Sequence, residues 1–597
     1  MLIEPGRDQK LSGFVREITN QCFSSRQSRL NRNTFFQNFF ESGSDDPSNP
    51  AMFNKIYAGI DDLESLLYSP LSLRFTMSDP DVPNLLNKLK YRVASNHIRT
   101  ACRRSDIDTM ISAAVSKAIV KGKSFIKVLQ KGERLEPTLI SPEDMGVLRE
   151  NYTVLDRNME AFSHRMMVTI WEVERLIKSL EWGSKEEGIA IKALRNYQKI
   201  STGEDDKKPS MQVTIGGIYP FQPQSSGPSP ARGIADWLAS PKPSLSPEVE
   251  QILLPLDETW IWDDEADNGN GDWSTFQMVG DILLMGRFQK INALAYDAKT
   301  KQSSPFLKGE HPFREFCVNP IDDYFWGASE LRHLVGLQEA ITARIKGINR
   351  MLRKEEDPNW KFTGVTGVNQ NVMSKLNRPN GYFSDSNPNA KAEPEKNQVS
   401  PDVWHAVEIY ERMFNDEMGL PPTAQGKGDA GVRSHRHAEA LVRQASPRFK
   451  DRALLVERSV EALGGLVLDL KKAHDDKVML AWVPEAEAGL EGVKPDELTP
   501  PPAKGLVAVP FRFLDIPEDV HLLVDSHSSS PAFAEEAKML NFDLVKIGAE
   551  GKDDLVEHVD APDPEDLQAG IMRRDIAAAE AAQKKEQVEL ITKSKKH

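Results

Sequence analysis

Between Ala328 and Lys354 the apolar residues Leu331, Leu334, Val335, Leu337, Ile341, Ile345, Ile348 and Leu352 recur at close to a helical period. Ser329 is placed to cap the N-terminus of that helix, and Pro358 ends it. At ~1.5 Å per residue the helix spans roughly 39 Å, so the fold must accommodate one long rod. The rod is also basic. Arg332, Arg344, Lys346, Arg350, Arg353 and Lys354 outnumber Glu330 and Glu339, six to two, in a chain whose net charge is −14.

A second helix is expected from about 401 to 418, with Pro401 at its first position, Ser400 as cap, and Val403, Val407, Tyr410, Met413 and Phe414 turned inward. Between the two helices, Trp360 to Val368 and Gly381 to Phe383 read as short strands around turns, and 387–400 as loop. After Gly419-Leu-Pro-Pro422 comes a glycine-rich basic loop, Thr423 to Arg433, and then a helix from about Ser434 to Ala473 that Pro447 should bend.

The N-terminal part reads as α+β. Arg26 to Phe40 and Asn54 to Tyr68 are helical, and Phe35, Phe36, Phe39 and Phe40 form a stripe expected to pack into a core. A helix over Ala113 to Val120 breaks at Lys121-Gly122-Lys123. Strands are expected from Ser124 to Leu129, Pro137 to Pro142 and Phe162 to Val168, then a helix from Ile170 to Leu180. Pro220 to Pro247 carries seven prolines among serines and glycines and reads as a linker or surface arm. Strands at Glu258 to Trp262 and Trp273 to Val279 flank the acidic stretch Asp263 to Asp272. That stretch is no calcium loop, because Asn268 and Ser274 stand where Gly and Glu are required. Residues 480–510 read as a Pro-rich connection, and Phe511 to Val524 as strand material.

Length allows roughly four domains at ~150 residues each. Three dispersed cysteines, Cys22, Cys102 and Cys317, give neither a disulfide framework nor a zinc pattern. No 18-residue apolar run and no secretory leader is read, so no membrane association is expected. The acidic balance disfavours tight, non-specific coating of DNA, yet suits a wall past which DNA slides. Catalytic constellations are not expected either. Gly426-Lys427-Gly428 lacks the spacing of a phosphate-binding loop, and His437-Ala-Glu439 is not followed by Pro-Cys-x-x-Cys. No metal, cofactor or enzymatic activity is expected.

The order of segments from 320 to 475 resembles the portal proteins of tailed double-stranded DNA bacteriophages. The matching residues are Pro320 with Tyr324 to Ser329, Leu337-Gln338, Glu417-Met-Gly-Leu-Pro421, Gly426 and Gly431-Val-Arg-Ser434. Earlier and later segments join them: Ala118 to Lys127, Pro142 to Glu150, Ala161 to Arg165 and Val524 to Pro531. The resemblance implies a mainly helical α+β, elongated subunit of a ring, likened to twelve copies, at one capsid vertex of the virion, assembled in the host cytoplasm. It implies a wing over 1–327 with the Pro-rich insert at 200–250, stem helices over 328–354 and 401–418, and a clip over 355–400. A tunnel loop would follow over 419–434, then a kinked helix returning to the wing over 435–530, and crown helices with a basic tail over 531–597.

The implied function is a channel for DNA entry during packaging and exit during ejection. The implied partners are further copies of the chain, double-stranded DNA held without sequence specificity, the terminase large subunit, a head-tail adaptor, and the major capsid and scaffold proteins. Gly426, Gly428 and Gly431 would let the tunnel loop change shape. Lys427, Arg433 and Arg436 would offer sparse phosphate contacts, Lys427 being equally readable as an exposed loop lysine. Arg344, Lys346, Arg350 and Arg353 would line the stem channel. Trp360, Lys361, Phe362, Tyr382 and Phe383 would form the clip surface that meets terminase or adaptor. The alternative reading is a minor capsid or adaptor protein without a DNA channel.

Overall fold

The computed structural model describes residues 9–68, 75–78, 85–131, 134–179, 188, 191–192, 195, 253–264, 271–280, 282–287, 310–356, 360–365, 387–394, 401–419, 447–484, 506–517, 519–524 and 546. Helices α1 (Gln9–Cys22), α2 (Arg26–Ser42) and α3 (Lys55–Leu67) come first, then β1 (Phe75–Ser78), α4 (Leu85–Arg104) and α5 (Ile107–Lys121). Strands β2 (Lys123–Lys131), β3 (Arg134–Ile140), β4 (Met145–Val147) and β5 (Ala161–Thr169) precede α6 (Ile170–Ser179). After it come β6 (Leu253–Asp263), β7 (Asp272–Val279), β8 (Ile282–Arg287) and β9 (Phe313–Cys317). Helix α7 (Leu331–Glu356) leads to β10 (Trp360–Thr363), β11 (Lys391–Pro394) and α8 (Pro401–Met418). The described chain closes with α9 (Pro447–His474), β12 (Met479–Pro484), β13 (Leu506–Phe511) and β14 (His521–Val524). The fold is therefore mixed helix and strand.

Two compact units divide the chain: Met1–Thr34, Leu67–Ala328 and Ala453–His597 form one, and Phe35–Leu66 with Ser329–Arg452 the other. In the first unit, five antiparallel strands run in the order β4-β5-β6-β7-β8, and three in the order β3-β2-β9. Helix α1 packs on β5, while α5 covers the three-stranded sheet. Two small ribbons, β12-β13 and β1-β14, complete this unit, with α4 against β1 and β12. The pairing of Met479–Pro484 with Leu506–Phe511 corrects the expectation of a connection over 480–510 at both of its ends. Prolines at the strand ends, Pro484 and Pro510, masked a pairing that alternating burial of Met479, Ala481, Val509 and Phe511 makes worthwhile.

The break expected at Lys121-Gly122-Lys123 has a steric cause. Gly122 sits at φ +96, and a Cβ there would lie 2.7 Å from the Trp326 carbonyl oxygen. Gly327, at φ +63, would in turn meet Cys317 Sγ at 2.8 Å and the Asn319 carbonyl oxygen at 2.9 Å. The two glycines thus let the end of α5 and the turn after β9 touch backbone to backbone. Gly122→Ala should cost ~2 kcal/mol or more, combining a left-handed φ with a clash against backbone that cannot rotate away. Urea unfolding followed by circular dichroism measures it; an unchanged midpoint would show that the contact is not made in solution.

Burial of the sheets puts charge in the core. On one face of the five-stranded sheet, His164 of β5, Glu258 of β6 and Gln277 of β7 stand opposite one another in register. Lys127 of β2 reaches Glu258, Nζ to Oε2 at 2.5 Å, and Trp260 Nε1 donates to Glu258 Oε1 at 2.9 Å. Lys127 is 4% exposed and Glu258 0%. Around them Phe162, Trp260, Trp273, His311 and Phe313 form an aromatic cluster with ring centroids 5.1 to 6.2 Å apart.

Candidate functional site

The second unit holds the rod expected from the sequence. Ser329 caps it, its hydroxyl accepting from the Leu331 amide at 3.2 Å. The helix begins at Leu331 and continues to Glu356, two residues beyond the expected end. Its buried seam is Leu331, Leu334, Gln338, Ile341 and Ile348. Gln338 earns its place in that seam by bridging backbone. Its Nε2 donates to the Phe53 carbonyl at 2.7 Å and to Thr342 Oγ1 at 3.1 Å, while its Oε1 accepts from the Lys55 amide at 3.0 Å. Arg452 closes the N-terminal end with two bonds to the Glu330 carboxylate, at 3.0 and 2.9 Å.

Helix α8 packs alongside α7. Its buried residues are Val407, Phe414 and Met418, and Gly59 of α3 lets Met418 and Phe414 approach closely. The start of α3 thus meets the beginning of α7 through Gln338 and the end of α8 through Met418, so the two long helices run antiparallel. Pro401 is the first residue of α8, as its fixed φ suits. Met413 is 50% exposed rather than inward. Helical geometry explains the correction: Met413 stands ~120° from the mean of Val407, Phe414 and Met418, beyond the seam's width. The aromatic stripe of α2 is likewise only partly core, with Phe39 at 1% exposure and Phe35 at 40%. Phe35 and Phe39 meet at a tilt, 4.9 Å between centroids and 56° between ring planes, with Phe35 as the outer ring.

The three stem arginines and the one lysine do not share one face. Arg344, Lys346, Arg350 and Arg353 are all exposed. At ~100° per residue, Lys346, Arg350 and Arg353 lie within about 60° of one another, whereas Arg344 stands about 120–180° away from them. The charges of the pair oppose each other. Helix α7 has six basic residues against three acidic, and α8 five acidic against one basic.

The chain between the helices contains a small antiparallel hairpin, β10 with β11, in which Trp360 faces Pro394 and Phe362 faces Ala392. Trp360 and Phe362 are half-buried on one side and Lys361 is exposed on the other. Asn387 holds the returning turn, its Nδ2 donating to the Gly364 carbonyl at 2.7 Å and its Oδ1 accepting from the Asn389 amide at 3.0 Å. Tyr382 and Phe383, and the loop residues Gly426, Lys427, Gly428, Gly431, Arg433 and Arg436, lie outside the described residues. The part of the long helix expected before Pro447 lies outside them too.

The chain matches no protein-family model and no curated protein. Among the described residues no group of three or more His, Cys, Asp or Glu side chains could hold a metal ion, and no helix is long and apolar enough to cross a membrane.

Sequence reasoning passed over the outward faces of the two helices. Gly336, Ala340, Ala343 and Gly347 recur at spacings of four, three and four, and all are exposed or half-exposed. A Cβ added at Gly336 or Gly347 would meet nothing within 4 Å. That spacing was the signal available in the sequence, hidden because the apolar seam dominates the periodicity.

Proposed function

We propose that this chain is a portal subunit. It would form a ring at one capsid vertex, give passage to double-stranded DNA during packaging and ejection, and dock first the terminase and then a head-tail adaptor. The observation that carries the reading is the antiparallel pair α7/α8, with a small hairpin between them in sequence and exposed charge along both helices. Such a pair buries one seam and leaves flanks for neighbours, which is what a column tiled around an axis requires. In this reading α7 and α8 are the stem, β10–β11 belongs to the clip, the first unit carries the wing, and 419–434 is the tunnel loop. Lys346 and Arg353, about 20° apart on α7, are the residues best placed to line a bore together, holding phosphates without reading bases.

Negative-stain electron microscopy of the purified chain should show isolated rings with a central hole. Compact particles without a hole would sink the reading in favour of an adaptor or minor capsid protein. Deleting 426–431 should leave rings intact while DNA packaging or retention fails. Loss of rings instead would place that segment in subunit contacts.

A further inference from the structure

We infer that helix α4 of the first unit carries a binding surface for the phosphate backbone of duplex nucleic acid. The inference goes beyond the portal reading, which sets DNA against α7, and does not depend on it. Helix α4 holds Lys88, Lys90, Arg92, Arg99, Arg103 and Arg104 and not one Asp or Glu in 20 residues. The chain as a whole is acidic, with a net charge of −14, so this concentration of positive charge is local.

The charges are ordered. Lys88, Arg92, Asn96, Arg99 and Arg103 follow one another at spacings of four, four, three and four, which places them in a strip ~80° wide and ~22 Å long. The buried seam of the same helix, Tyr91, Ala94, Ser95, Ile98 and Cys102, lies roughly 100° away. Lys88, Asn96 and Arg103 are exposed, whereas Arg92 and Arg99 are half-buried and also interact within their own chain. Outside the strip Arg104 is exposed too. Beside it, Lys471 and Lys477 lie close enough to His97 to help lower its pKa, after the larger effect of burial. The acids nearby are few. Asp475 is held by Lys471 at 3.2 Å, and Asp108 of α5 lies near Arg103 and Arg99 with its carboxyl raised by burial.

The form of the surface selects the partner. None of the described apolar side chains of α4 is exposed, so the strip lacks the apolar anchors that a membrane surface or a protein interface uses. Its one aromatic residue, Tyr91, is 5% exposed and offers no platform on which the bases of a single strand could stack. What remains is a straight row of cations with one amide among them, suited to phosphates and blind to sequence. One strand of a duplex presents a phosphate every ~3.4 Å along the axis, so about six lie beside a strip of ~22 Å, enough to engage all four of its cations.

Fluorescence anisotropy of a labelled random-sequence DNA duplex with the full chain tests this. The parent should bind at about 50 mM salt, with log K falling against log salt at a slope of about −3 to −4. Reversing the two exposed ends of the strip, K88E/R103E, should weaken binding ~10-fold or more, and K88A/R103A should flatten the slope by about 2. A control reversal of equal charge in the same unit, R175E/K178E on α6, should leave the affinity within ~3-fold of the parent. Thermal melts matching the parent's would show that the variants fold; if K88E/R103E does not, K88A/R103A carries the test. A parent that does not bind, strip variants that bind with the parent's affinity and slope, or a control that weakens binding as much as the strip reversal would each overturn the inference. Tighter binding to polyglutamate, or to vesicles of anionic lipid, than to the duplex would overturn it in favour of an acidic protein or a membrane. The portal reading fails separately. A chain that forms no rings yet binds duplex through Lys88 and Arg103 keeps this surface and removes the channel, whereas rings whose DNA binding ignores both residues keep the channel and remove this surface.

Discussion

Lys127→Met should be among the most damaging single substitutions in the chain, lowering stability by ~3–5 kcal/mol. Lys127 lies on the central strand of the three-stranded sheet and Glu258 on the central strand of the five-stranded sheet, and their ion pair joins the two. With the lysine gone, a carboxylate at 0% exposure keeps only the Trp260 indole as an identified donor. The cost comes from that stranded charge, not from loss of the attraction itself, since two buried ions gain from each other about what they lose in leaving water. A double variant, K127M/E258L, should therefore recover much of the loss. Urea unfolding of the parent, both single variants and the double variant completes the cycle. If K127M alone costs less than about 1 kcal/mol, the pair is solvated in solution and the account of this core is wrong.

Acid should weaken the same unit through its histidines. Burial, reinforced by Lys127, holds the His164 pKa well below 6.5. Burial, with Arg314 adding to it, pushes His311 down to about 3 from 6.5, against a smaller opposing effect of its hydrogen bond to the Leu155 carbonyl. Both rings are neutral in the folded state, whereas the unfolded chain takes up their protons below pH 6.5. The unfolded state then binds more protons, so stability falls as pH falls, by ~1.4 kcal/mol per pH unit for each histidine. The effect starts near pH 6.5 and, for His311, continues to about pH 3. Asp469 works in the opposite direction. Burial, with Glu310 nearby, raises its carboxyl to about 6, so protonation there favours the folded state. Comparing variants isolates the histidines. His164→Leu and His311→Phe should each gain on the parent by ~1.4 kcal/mol per unit as pH drops from 6.5 to 4.5, whatever their offset at pH 7.5. Parallel pH profiles for parent and variants would show that these rings are not the acid-sensitive groups.

The helices were legible because their information is local. The 3.6-residue recurrence from Leu331 to Leu352, the hydroxyl of Ser329 and the proline at 401 act within a few residues, and the structure places α7 and α8 close to the expected bounds. Gly122 was legible for the same reason, since a break between a helix and a strand needs a residue free of Cβ strain.

Burial of charge and distant strand pairing were not legible. Lys127 and Glu258 are 131 residues apart, and each alone reads as a polar residue in an apolar strand. Strands β1 and β14 are separated by most of the chain, so nothing near Phe75 names Val524 as its neighbour. Periodicity likewise marks which side of α7 is apolar, but not that Gly336 and Gly347 face open space. The sequence by itself determined where helices start, stop and break, because backbone hydrogen bonding and side-chain sterics act between near neighbours. Which charges were buried, which strands met and which faces stayed uncovered was decided only by the tertiary structure, because those depend on segments brought together from hundreds of residues apart.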